Sequence, residues 1–111
     1  MARDVLGEFE QMVLLAILQE AEAGAFALEV RTRIEEDAGR SVSRGAFYTT
    51  LDRLEKKSLV EWEEAVPNDS RRSTPLRRFR VTPAGLEALR ASRRAMEALS
   101  RGLDAVLGES V

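Results

Sequence analysis

Along the chain, apolar positions first recur at helical spacing, then alternate, then return to helical spacing. Phe9, Met12, Val13, Ala16 and Ile17 mark one face of a first helix predicted over residues 5–22. Leu14, Leu15 and Leu18 make a second face apolar, as expected of a helix covered on several sides, partly by a second subunit. Gly24 ends it. Phe26, Val30 and Ile34 form the stripe of a second helix over about 26–38, and Gly39 suits the left-handed position beyond its end. After the connector Arg40-Ser41-Val42-Ser43, a third helix is predicted over about 44–57. Ser43 is its N-cap, since a serine hydroxyl accepts from the free N–H groups of the first turn. Val42 and Phe47 then fall where a hydrophobic staple sets the entry angle. Phe47, Leu51 and Leu54 point inward, leaving Arg44, Tyr48, Thr49, Asp52, Arg53 and Lys56 outside.

Alternation then predicts strands from Leu59 to Val66 and from Leu76 to Val81, joined by the turn-rich loop 67–75. Thr82-Pro83 restarts a helix, with threonine as N-cap and proline at the first helical position, where a missing N–H does no harm. Leu89, Met96 and Leu103 recur at seven residues, accompanied by Leu99 and Val106, so this fourth helix is expected to reach about residue 107. The chain is therefore expected to be mainly α with a small β-hairpin, a winged helix-turn-helix with an added C-terminal helix. Residues 1–82 are assigned to the winged helix-turn-helix and residues 83–111 to a C-terminal dimerisation helix. No internal repeat or interdomain linker is visible. The apolar run 12–18 is too short to span a bilayer and lacks the basic flank of a signal peptide, which makes the cytoplasm the default compartment.

The 111 residues contain neither His nor Cys, which removes the commonest general base, thiolate chemistry and the commonest metal ligands. With no nucleophile–base pair, the chain is expected to bind rather than catalyse, and it calls for no cofactor and no metal. Its net charge of −2 argues at face value against nucleic acid. Position reverses that inference. Acids dominate residues 1–38 and 61–70, whereas Arg40, Arg44, Arg53, Lys56 and Lys57 crowd the third helix and its approach. Residues 71–80 carry Arg71, Arg72, Arg77, Arg78 and Arg80 with no acid. These basic segments coincide with the two elements that a winged helix lays on double-stranded DNA.

Arg44 suits bidentate contact with guanine, Thr49 is small enough to meet a base edge or a thymine methyl, and the Tyr48 hydroxyl can donate to phosphate. Gly45 removes a side chain where backbone would approach the duplex. Plainer readings exist for each. Arg78 and Arg80 can pair with Glu61, Glu63 or Glu64 across the hairpin. Tyr48 can be a packing residue, and Trp62, the sole tryptophan, can cap the hairpin. What favours DNA is the occurrence of both basic elements in this order. The alternative is a winged helix used as a protein-interaction module, its arginine-rich hairpin meeting an acidic partner.

Three stretches resemble the PadR-type winged-helix transcriptional regulators. They are Leu6-Gly7-Glu8-Phe9-Glu10, the segment from Ser43 to Glu55 with its Ser-Arg-Gly-Ala-Phe-Tyr and Leu-Asp-Arg-Leu-Glu runs, and Arg78-Phe79-Arg80-Val81-Thr82-Pro83-Ala84-Gly85. The chain departs from the family pattern at Ser58, where glycine is frequent, and at residues 24–28, which replace a His-Gly-Tyr type of turn. The resemblance implies a homodimeric repressor on a palindromic operator, relieved by an inducer that the sequence does not reveal. It implies DNA contacts from Ser43, Arg44, Gly45, Tyr48 and Thr49 of the recognition helix and from Arg71, Arg72 and Arg77 of the wing. Arg53 and Lys56 join them as cations of the same helix. It also implies a dimer interface in which the C-terminal helix packs with the first, here through Met12, Leu15, Leu89, Met96, Leu99, Leu103 and Val106.

Overall fold

Three helices precede a hairpin and a long helix follows it in the computed structural model, which describes residues 6–67 and 74–108. The elements are α1 (Glu8–Gln19), α2 (Ala27–Ala38), α3 (Arg44–Lys56), β1 (Val60–Ala65), β2 (Leu76–Val81), α4 (Pro83–Ser100) and a single-turn α5 (Asp104–Leu107). This is the expected mainly helical fold with one small hairpin.

The core forms where the inward stripes meet. Val13, Leu14 and Ile17 of α1, Val30 and Ile34 of α2, and Phe47, Leu51 and Leu54 of α3 pack together with Val60, Phe79, Val81 and Leu89. The hairpin register pairs Trp62 with Phe79 and Glu64 with Arg77 on the face turned toward the helices, and Glu61 with Arg80 and Glu63 with Arg78 on the other face. The Phe79 N–H donates to the Ala25 carbonyl at 3.0 Å, so the turn before α2 adds a third short piece to the sheet.

Two boundaries differ from the sequence expectation. The first helix is shorter at both ends. It starts after Gly7, and it stops at Gln19 because the Ala25 N–H folds back onto the Glu20 carbonyl at 2.9 Å. The fourth helix does not run to residue 107. It ends at Ser100, Gly102 takes φ +80°, and α5 begins a new direction. Periodicity continues through Leu103 and Val106, but glycine is a weak helix former and no described element packs there to hold the helix together. Leu89 is the last residue of α4 that is fully buried. Beyond it the helix projects from the body, which raises the radius of gyration to 15.7 Å against about 13 Å for a compact domain of this length.

The start of α4 is locked to the end of α3. Thr82 caps α4 by accepting from the Gly85 N–H at 3.0 Å, and its hydroxyl donates to the Ser58 carbonyl at 2.7 Å. Gly85 permits this approach, because a Cβ there would lie 2.2 Å from the Leu59 carbonyl oxygen. Ser58 itself turns the chain out of α3 with φ +62°, and Ala25 does the same before α2 with φ +53°.

Candidate nucleic-acid interface

The α2–α3 turn is fixed from three sides. Ser43 Oγ accepts from the Ala46 N–H at 3.1 Å, as its sequence position predicts, and Val42 and Phe47 are both buried beneath the turn. Arg31 Nε donates to the Val42 carbonyl at 3.1 Å, while a Glu35 carboxylate oxygen accepts from the Val42 N–H at 3.3 Å. At the far end of α3, the Lys57 ammonium donates to Glu10 at 3.1 Å. Burial pushes the Glu10 carboxyl up, but the Gly7 N–H at 2.8 Å and the Lys57 and Arg53 charges outweigh it and hold it below its ordinary value. This pair ties the start of α1 to the end of α3, so α3 is held at both ends.

With Phe47, Thr50, Leu51 and Leu54 buried, α3 turns an arc of about 180° to solvent at 100° per residue. Along that arc lie Arg44, Glu55, Tyr48, Asp52, Gly45, Lys56, Thr49 and Arg53, in that order. All are exposed except Tyr48, which is half-buried and meets Phe47 edge-on at 5.4 Å. Gly45 has open space on its Cβ side. The packing and solvent-facing readings of Tyr48 are therefore both satisfied: its ring rests on the core and carries Arg44 at 5.9 Å on its face.

The cations divide by partner. Lys57 is held by Glu10, Arg40 by Glu8, Arg78 by Glu63 and Arg80 by Glu61. The Glu61 carboxylate keeps the Arg80 guanidinium above its ordinary value through their hydrogen bond. Arg44, Arg53, Lys56 and Arg77 pair with no carboxylate among the described residues. Arg77 instead lies 4.2 Å above the Trp62 ring, and Trp62 donates from Nε1 to Glu55 at 3.0 Å. The cross-strand pairing expected of Arg78 and Arg80 is thus present, and Trp62 joins the hairpin to α3. Arg71 and Arg72 lie outside the described residues.

Between α3 and the hairpin runs an open groove of about 810 Å³, walled by Arg31, Arg44, Tyr48, Glu64, Leu76 and Arg77. The sequence reading brought Arg44, Tyr48 and Arg77 to one place but omitted Arg31, because it sits in a segment whose charge sum is acidic. It also left out Asp52, which stands in the middle of the α3 arc.

The residues assigned to a dimer interface separate into two groups. Leu89 is buried in the core of its own chain, and Met12 is half-buried. Leu15, Met96, Leu99, Leu103 and Val106 are exposed, Leu99 at 77% and Val106 at 80%. Among the described residues, no helix is long and apolar enough to cross a membrane, and no acidic cluster has the arrangement of a metal site.

Comparison with known proteins agrees with this geometry. The chain is 44% identical over 63 residues to the transcriptional regulator Rv3488 of Mycobacterium tuberculosis, a match spanning 57% of this chain and about half the length of that relative (55%). The fold is similar to that of a PadR-like transcriptional regulator from Bacillus cereus, with a TM-score of 0.73 at 22% identity over 92% of this chain and 93% of that one. A PadR family transcription regulator from Clostridium difficile gives a TM-score of 0.69 at 16% identity, covering 89% of this chain and 98% of the other. The sequence pattern of the PadR-like transcriptional regulators matches residues 14–91. A match over so much of the winged-helix body is decisive: the chain belongs to the PadR-like family of transcriptional regulators.

Proposed function

We propose that two copies of the chain form a homodimeric repressor that binds a palindromic operator in double-stranded DNA, with α3 in the major groove and the hairpin on the adjacent backbone. The observation that carries this reading is the partition of charge. On α3 and the described hairpin, the cations facing away from the groove side are paired with carboxylates, while Arg44, Arg53, Lys56 and Arg77 have no carboxylate partner among the described residues. A solvated basic face with no ligand gains nothing from such sorting, whereas phosphate needs unpaired guanidinium and ammonium groups. Ser43, Gly45 and the first-turn N–H groups of α3 sit where backbone meets phosphate. Arg44, Tyr48, Thr49 and Asp52 occupy the part of α3 that reaches base edges, Asp52 as an acceptor for a cytosine amino group. The family resemblance adds Arg71 and Arg72, which lie outside the described residues, as further contacts.

Dimerisation is supported by the projecting second half of α4, whose Met96 and Leu99 are apolar and exposed, and by Leu103 and Val106 beyond the Gly102 break. Leu15 on α1 supplies a further apolar surface. A second copy would cover these side chains and set two α3 helices one helical turn of DNA apart, roughly 34 Å. Titration of promoter duplexes at several salt concentrations tests the reading. A preference for one promoter and a fall of log K with log salt are expected. A flat salt response, or equal binding to random duplex, refutes it.

A further inference from the structure

Two arginines face each other across the groove between α3 and the hairpin, and each rests on an aromatic ring: Arg44 on Tyr48 and Arg77 on Trp62. The second pair carries an additional link. Trp62 is half-buried on the inner face of β1, and its indole N–H is bound to Glu55 of α3 at 3.0 Å. Glu55, Trp62 and Arg77 therefore form one chain of contacts from α3 to the tip half of β2. One Glu55 carboxylate oxygen accepts from the indole. On the opposite face, Arg78 and Arg80 are each paired with a carboxylate, Glu63 and Glu61.

We propose that Trp62 is a positioning residue for DNA binding, holding the Arg77 guanidinium in place against the phosphate backbone and tying the wing to the recognition helix through Glu55. This rests on the DNA-binding reading above and names a residue that does not itself touch the duplex. Stacking uses the face of the guanidinium and leaves its in-plane N–H donors free, whereas a carboxylate partner consumes them. An arginine side chain fixed in advance also loses less rotamer entropy when it meets phosphate. Because the ring is anchored on α3, Arg77 is held relative to the base-reading side chains rather than only to its own strand.

A double-mutant cycle on operator affinity tests this. Arg77→Ala removes one charge-assisted phosphate contact from each protomer, together worth about a hundredfold in operator affinity, and lowers the salt slope by about 1.8. Trp62→Leu is expected to produce the same two changes although it removes no charge. The double variant is expected to be no weaker than Arg77→Ala alone. Additive losses, about ten-thousandfold together, or an unchanged salt slope in Trp62→Leu, would overturn the proposal. Arg77→Lys tests it without touching the hairpin core: charge is kept and stacking lost, so affinity should fall severalfold, and equal affinity counts against positioning. If the wild type shows no salt-dependent operator binding, the DNA reading fails and this inference with it. If Arg77→Ala behaves as stated but Trp62→Leu is additive, only the positioning role fails.

Discussion

Replacing Ser58 by glycine should stabilise the protein. Ser58 holds φ +62° at the exit from α3, where its N–H donates to the Glu55 carbonyl at 2.9 Å and its own carbonyl accepts from the Thr82 hydroxyl. For a residue with a Cβ this conformation costs about 1–2 kcal/mol, because Cβ crowds the following carbonyl. Glycine removes that cost but adds about 0.4–1 kcal/mol of unfolded-state entropy. The side chain is exposed and its hydroxyl bonds to no described residue, so nothing else is lost. The net gain is about 0.5–1 kcal/mol, or a Tm rise of about 2–5 °C. Urea unfolding at one fixed protomer concentration measures it, since association makes apparent stability concentration-dependent. The midpoint should rise with an unchanged m-value. Ala25→Gly is the internal control. Its φ of +53° carries similar strain, but its methyl group is buried at 2% exposure, and losing that burial costs about 0.8 kcal/mol. That variant should be close to neutral. If Ser58→Gly is neutral or destabilising, or if Ala25→Gly gains as much, strain is not what distinguishes these positions.

Other variants probe the remaining links. Gly85→Ala would place a Cβ 2.2 Å from the Leu59 carbonyl and 2.8 Å from Val81, forcing α4 off the α3 exit; a loss of about 2–4 kcal/mol is expected in the same unfolding assay. Glu10→Gln should cost about 1–3 kcal/mol at neutral pH by weakening the charged bonds to Gly7 and Lys57. The folded Glu10 pKa lies below its ordinary value, so its contribution is present above the unfolded value and lost as pH falls through the folded one. The Glu10→Gln penalty should therefore shrink in acid, and a penalty constant down to the lowest pH at which the protein folds would contradict this. Arg44→Ala should relax base preference at one operator position, whereas Lys56→Ala should weaken all sequences alike; competition binding separates the two. Leu99→Asp and Val106→Asp should shift sedimentation toward the monomer without changing the helical signal, and an unchanged sedimentation coefficient would remove these residues from the interface.

Local chemistry was the part of the fold that could be read from residue types. Ser43, Thr82 and Pro83 announce their helix starts through groups that act within four residues, and the hairpin ion pairs follow from strand register alone. The end of α4 was not legible, because Leu103 and Val106 continue an apolar repeat whose partner surface has already stopped at Leu89. Periodicity predicts which face would be buried, not whether anything arrives to bury it. The left-handed turns at Ala25 and Ser58 were equally hidden, since neither residue type favours that conformation. Only the family's frequent glycine at the second hinted at it. Charge was the most instructive case. Lys57 belongs by position to the basic third helix, yet its charge is spent on Glu10, 47 residues earlier. Arg31 belongs to an acidic segment, yet its side chain reaches the groove wall. Summing charges by segment marks two basic stretches but counts Arg40, Lys57, Arg78 and Arg80 with them, cations that the expected DNA contacts already leave out. Recognition of a polyanion depends on which cations retain free donors after folding, and tertiary pairing decides that: it withdraws Arg40, Lys57, Arg78 and Arg80 and leaves Arg44, Arg53, Lys56 and Arg77 unpaired by any described carboxylate.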